Sequence, residues 1–343
     1  MWSVKICNEL FNSYKFLGKF FITVDGNLDP VMLEKYNSYI KNLKDFLGDY
    51  LSEDDEDCNY IPKNLPGKVE GEKHSLQEYL NKLNKLIGLE KVKKDVNSLI
   101  NLVQIRKLRQ DRGIKQPSMS LHLVFSGNPG TGKTTVARLL SKIYHEIGLL
   151  SKGHLIETDR SGLVGGYVGQ TAIKTRDVVD QAMGGILFID EAYSLASTSE
   201  NDYGKEAINT ILKSMEDNRD DLIVIVAGYP ELMDRFLHSN PGLESRFNKF
   251  IYFDDYNAEE LYDIFKLMCD EANLVLEKSS EDYAIQYFDK MCENKPQNFA
   301  NGRVVRNFFE EVITAQANRL VLQEDITDEE LNTLTYEDFL VED

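Results

Sequence analysis

Apolar positions recur along this chain in two rhythms. Leu76, Tyr79, Leu80, Leu83 and Leu86 fall three or four residues apart, and Val92, Val96, Leu99, Val103 and Leu108 follow as a longer stripe. Both spacings predict amphipathic helices. Beyond Pro117 the rhythm changes to short apolar runs: Leu121–Phe125, His154–Thr158, Ile186–Ile189, Leu222–Ala227 and Phe250–Phe253. Such runs read as strands buried on both faces, and helical segments separate them. The fold class is therefore α/β, with a central, mostly parallel five-stranded sheet flanked by helices over residues 75–255. Ligands of such sheets gather at the carboxyl ends of the strands.

Residues 257–273, 281–294 and 302–320 then read as three helices with no strand pattern between them, so 256–343 forms a separate C-terminal helical subdomain. Its acidic end, from Asp325, reads as one short packed helix and a frayed terminus. At the other end, Ile6, Leu10, Tyr14, Leu17 and Phe21, then Met32, Tyr36, Ile40, Leu43 and Leu47, predict a small all-α module over 1–51. The punctuation between them has the early spacing of a calcium loop, but the sixth and twelfth positions are Pro30 and Tyr36 where glycine and glutamate are needed. Calcium is rejected. Residues 52–74 combine five consecutive acids with Pro62, Pro66, Gly67 and Gly71 and read as a linker.

Composition narrows the class. A length of 343 residues suits two or three domains, and 42% hydrophobic content supplies real cores. The net charge of −18 argues against a nucleic-acid partner, whose backbone selects clustered Lys and Arg. Four cysteines without C-x-x-C spacing point to free thiols and not to zinc. Nowhere do 18 apolar residues run together, so no membrane span is expected and the reading is cytoplasmic.

The chemistry begins where the first apolar run meets Gly127-Asn128-Pro129-Gly130-Thr131-Gly132-Lys133-Thr134, a complete G-x-x-x-x-G-K-[ST] phosphate loop followed by helical spacing. Glycines let the backbone curl so that several N–H groups face one anion, and the helix N-terminus adds partial positive charge. Lys133 reaches the β- and γ-phosphates and the Thr134 hydroxyl ligates Mg²⁺. A Gly-Pro turn with a chance lysine is the bland alternative, and the strand–loop–helix order weighs against it. ATP and Mg²⁺ are the expected cofactors, with residues Asn128 to Thr135 at the nucleotide.

The run Ile186–Ile189 ends in Asp190 and Glu191. Beside a phosphate loop, Asp190 holds Mg²⁺ through its water shell and Glu191 polarises the attacking water. The alternative is that the pair merely caps the next helix, Ala192–Leu195. Before the last strand, Arg246 is a candidate finger that reaches a γ-phosphate in trans, or else a surface ion pair. Tyr167 stands among four glycines, Gly162, Gly165, Gly166 and Gly169, which predicts an exposed ring on a mobile loop that grips another chain; a ring folded back onto the domain is the alternative.

These motifs, in this order, resemble the AAA+ ATPases. From Leu86-Ile87-Gly88-Leu89 through Gly184–Leu195, Ala227-Gly228-Tyr229-Pro230 and Asn240–Phe247 the chain looks like the CbxX/CfqX family, over about residues 76–340. The resemblance implies a P-loop AAA+ core with a C-terminal helical lid. It implies that Ile87 and Gly88 pack the adenine, that Glu191 and Lys133 are catalytic with Arg246 as finger, and that Arg303 contacts phosphate from the lid, ahead of its neighbour Arg306. Tyr167 falls at the pore-loop aromatic. The residue that reports on the γ-phosphate near Gly228-Tyr229 stays unassigned. A homo-oligomeric ring, expected to be a hexamer, remodelling an unnamed protein client is the implied mode of action. An ATP-gated assembly switch and a nucleic-acid-dependent ATPase are the competing readings.

Overall fold

The computed structural model describes residues 76–115, 119–167, 169–196, 203–323 and 325–340. The expected N-terminal module (1–51) and linker (52–74) lie outside the described residues. Helices α1 (Leu76–Asn84) and α2 (Glu90–Asp111) precede β1 (Leu123–Gly127), and α3 (Lys133–Glu146) follows it directly. Next come β2 (Leu155–Thr158), α4 (Gln170–Ala182), β3 (Ile186–Ile189), α5 (Gly204–Asp217) and β4 (Ile223–Gly228). Helices α6 (Pro230–His238) and α7 (Pro241–Arg246) lead to β5 (Phe250–Phe253).

The five strands are parallel in the order β2-β3-β4-β1-β5. Alternate residues of each apolar run serve opposite faces. Leu123 and Phe125 of β1, with Ile186, Phe188, Ile223 and Ile225, pack under α2 and α3. Val124, Leu187, Ile189, Val224 and Val226 pack against α4, α5 and α6. A three-layer sandwich results, with every residue of β1, β3 and β4 buried. The sheet thus fixes the ends of β1, β3 and β4 rigidly, side by side.

The second layer of organisation is helical: α8 (Ala258–Glu271), α9 (Lys278–Glu293), α10 (Gly302–Leu320) and the short α11 (Asp328–Asn332). Asn257 and Glu260 form a reciprocal capping box at the start of α8. Inside, Phe265, Phe288, Phe308 and Phe339 form an aromatic core, with Tyr287 stacked on Phe308 at 4.1 Å between centroids. Two elements depart from expectation. A two-stranded parallel ladder, β6 (Val275–Leu276) with β7 (Thr333–Leu334), stands where no strand was expected. The acidic end is also packed and not frayed through Leu340: Asp338 is buried and accepts from Arg319 at 2.7 and 2.9 Å. Among the described residues no helix is long and apolar enough to cross a membrane.

Candidate active site

The phosphate loop occupies the turn between β1 and α3, and its glycines are required there. Gly130 and Gly132 have φ of 71° and 89°, left-handed values that side chains disfavour. The loop delivers the α3 N-terminus, beginning at Lys133, to a cavity of about 530 Å³, within the range usual for small-molecule sites. Gly127, Pro129 to Thr135, Asp190, Glu191, Gly228, Tyr229, Arg303 and Arg306 line it, together with Ile87, Tyr256 and Met268 among others.

Lys133 donates to the carbonyls of Gly127 (2.9 Å) and Asn128 (2.7 Å). Burial pulls its pKa down to about 8; the Asp190 carboxylate opposes that shift and the Arg303 guanidinium adds to it. Lys133, Asp190 and Arg303 therefore share one electrostatic environment although they stand on three separate elements. That environment is suited to a polyanion, since added negative charge would favour the charged lysine.

Glu191 sits in the left-handed region (φ 47°, ψ 41°) and its side chain caps nothing. The helix-cap alternative is not realised: the Asp190 carboxylate accepts from the Glu191 N–H at 3.0 Å, and the next residues make one 3₁₀ turn. The exposed Glu191 carboxylate lines the cavity.

Two expected residues stand elsewhere, Gly88 and Asn128, and Arg246, expected to act in trans, is away from its own chain's cavity. Gly88 does not line the cavity; its positive φ of 59° turns the chain so that Ile87 does, and a methyl there would meet the Glu260 side chain. The Asn128 side chain is directed to Asp255, not to the cavity. Arg246 lies outside the cavity of its own chain, at the end of α7, where it pairs with Glu216 at 3.2 Å and its Nε is buried without a hydrogen-bond partner. Tyr167 is 73% exposed, so its ring is not folded back.

Sequence reasoning missed the supports behind this site. Asp255 and Tyr256 carry no motif, and Asn301 lies in the stretch that leads to Arg303 without a signal of its own; only their place beside the last strand and before the α10 helix could have drawn attention to them. Among the described residues no three His, Cys, Asp or Glu gather as for a resident metal. Mg²⁺ needs no such cage, because one or two carboxylates with substrate phosphates hold it.

A phosphate loop, an acidic strand tip and a helical lid around one cavity define a P-loop ATPase. The family model described as "ATPase family associated with various cellular activities (AAA)" matches residues 123–255, and the AAA lid domain matches 257–343. Stage V sporulation protein K of Bacillus subtilis (strain 168) is 44% identical over 277 residues, which is 80% of this chain and 86% of that protein. The chloroplastic ribulose bisphosphate carboxylase/oxygenase activase of Cyanidioschyzon merolae is 43% identical over 277 residues, 80% of this chain and 94% of its own. Protein CbbX of Cereibacter sphaeroides is 43% identical over 266 residues, 77% and 85% respectively. The chain belongs to the CbxX/CfqX family of AAA+ ATPases and is an ATP-hydrolysing enzyme.

Proposed function

We propose that the chain assembles into a homo-oligomeric ring, a hexamer, and spends Mg-ATP hydrolysis on remodelling a partner protein. The observation that carries the ring is the position of Arg246 outside its own cavity, paired instead with Glu216. Glu216 is exposed and Arg246 half-buried, and a solvent-accessible pair of this kind contributes about 1 kcal/mol or less, so a neighbouring subunit's phosphates can compete for the guanidinium. Within one subunit, Lys133 and the loop N–H groups bind the phosphates and Arg303 neutralises them from the lid. Mg²⁺, held by Thr134 and Asp190, would supply charge neutralisation at the β- and γ-oxygens. Glu191 takes the proton of the attacking water.

The reading of a protein client rests on Tyr167, exposed among glycines, and on a relative that by its name activates another protein, ribulose bisphosphate carboxylase/oxygenase. No client is carried over from that name. Mixed rings test the assembly. Arg246→Ala subunits mixed with Glu191→Gln subunits regain activity where an intact Glu191 meets an intact Arg246; verified mixed rings without recovery would refute a finger in trans. Tyr167→Ala should abolish remodelling and keep basal ATPase, and retained partner function would turn the reading toward an assembly switch.

A further inference from the structure

Asn301 is fully buried and holds φ 46°, ψ −123°, a backbone conformation that costs any residue with a side chain. A turn that needed only this backbone would be made most cheaply by glycine. The asparagine is explained by what its amide reaches. Oδ1 accepts from the Tyr256 N–H at 2.9 Å. Nδ2 donates to Asp255 Oδ1 at 2.7 Å and to the Phe299 carbonyl at 2.9 Å, with the Pro129 carbonyl a longer contact at 3.3 Å.

Asp255 is gripped from the other side as well. Asn128 Nδ2, in the phosphate loop, donates to its two oxygens at 3.0 and 3.1 Å. One carboxylate at the end of the last strand is thus shared by an amide from the phosphate loop and an amide from the lid. The backbones meet beside it: the Gly302 N–H donates to the Gly130 carbonyl at 3.1 Å. A methyl group on Gly130 would come within 2.3 Å of the Ala300 carbonyl, so the approach leaves no room for a side chain. Arg303 is two residues along, in the first turn of α10, and lines the cavity.

We propose that Asn301, through the Asp255 carboxylate it shares with Asn128, is a positioning residue that registers the first turn of α10 on the phosphate loop and so places Arg303 at the phosphates. Movement of the loop when it grips a phosphate then passes to the first turn of α10 through these hydrogen bonds, beside the point where the chain itself crosses from β5 to α8. The inference rests on Arg303 being a phosphate contact, so the test addresses both.

Single-turnover ATP hydrolysis is measured on the full chain for Arg303→Ala, Asn301→Gly and the double variant. Glycine keeps the turn and removes only the side-chain bonds. Each single variant is expected to slow turnover about tenfold or more, and the double variant to be no slower than about twofold beyond the slower single, because Asn301 has nothing left to position. Losses that multiply, to about a hundredfold, indicate an independent structural role and overturn the proposal, as does Asn301→Gly at the wild-type rate. Arg303→Ala at the wild-type rate overturns the Arg303 reading and the proposal together. Should Asn301→Gly not fold, Asp255→Asn sets an amide against the two donors and enters the same cycle, read the same way.

Discussion

Raising pH should weaken ATP binding through a single group, Lys133. Its ammonium is buried against the loop carbonyls and titrates at about 8 in the free protein. Phosphates around it would hold it charged, so above pH 8 each binding event must take up a proton. The apparent dissociation constant then scales as one plus ten to the power of pH minus 8. Binding weakens about twofold at pH 8, ~10-fold at pH 9 and ~30-fold at pH 9.5, with uptake of about 0.9 proton per ATP at pH 9. ATP does not itself contribute there, since phosphate second ionisations lie near pH 6. Titration calorimetry in two buffers of different ionisation enthalpy reads both the constant and the proton count. Lys133→Arg, which keeps its charge, should bind more weakly at pH 7 yet show no slope. A flat wild-type profile from pH 7 to 9.5, or a slope retained in Lys133→Arg, would refute the reasoning.

Other consequences are checked more simply. Glu191→Gln should retain ATP binding and lose about 10²–10⁴ in turnover, read by nucleotide titration beside steady-state hydrolysis; near-wild-type turnover removes Glu191 from the base role. His122 is buried, accepts from the Val224 N–H at 3.0 Å, and burial with the nearby Arg246 charge lowers its pKa from 6.5 to about 4. Its folded pKa lies below the unfolded one, so stability is complete above pH 6.5 and is lost towards pH 4, by about 3 kcal/mol from this residue. Urea midpoints of wild type and His122→Gln should therefore converge as pH falls through that window, and parallel curves would sink the assignment. Asp338→Ala should destabilise the chain by about 3 kcal/mol in urea unfolding, because it strands the Arg319 guanidinium beside a cap it also completes at Thr335.

The sheet was legible because its strands are short, mostly apolar runs bounded by glycine or polar residues; both faces of β1, β3 and β4 are buried, whereas the edge strands β2 and β5 are partly exposed. Strand ends then placed the phosphate loop and Asp190-Glu191 together without any contact information. What escaped has physical causes. The β6–β7 ladder is two residues long on each side, too short for alternation to register. In α2 the apolar spacing runs on through Leu108, which is 44% exposed, while Ile100, off that stripe, is buried. All the buried positions of α2 fall between Val92 and Val103, so its last turns have lost the sheet beneath them and apolar spacing there no longer reports a core.

The site divides along the same line. Groups that touch phosphate announce themselves, because anion binding needs glycines, a lysine and a hydroxyl at fixed spacing within one turn. Groups that hold those groups in place do not. Asn128, Asp255 and Asn301 are brought together from 127 and 46 residues apart, and asparagine and aspartate have many local uses as caps and turns that give the same sequence signal. Their cost is what distinguishes them in three dimensions. A strained backbone at Asn301, of about 1–3 kcal/mol, and a lysine whose burial takes its pKa to about 8 are both unfavourable to folding. Both lie at the junction of loop and lid, and the aromatic and aliphatic cores on either side have the surplus to hold them. Glycine at 301 would relieve the backbone strain only by leaving the buried Tyr256 N–H and the Asp255 carboxylate without the Asn301 amide, so the strained conformation persists where several hydrogen bonds over-determine it.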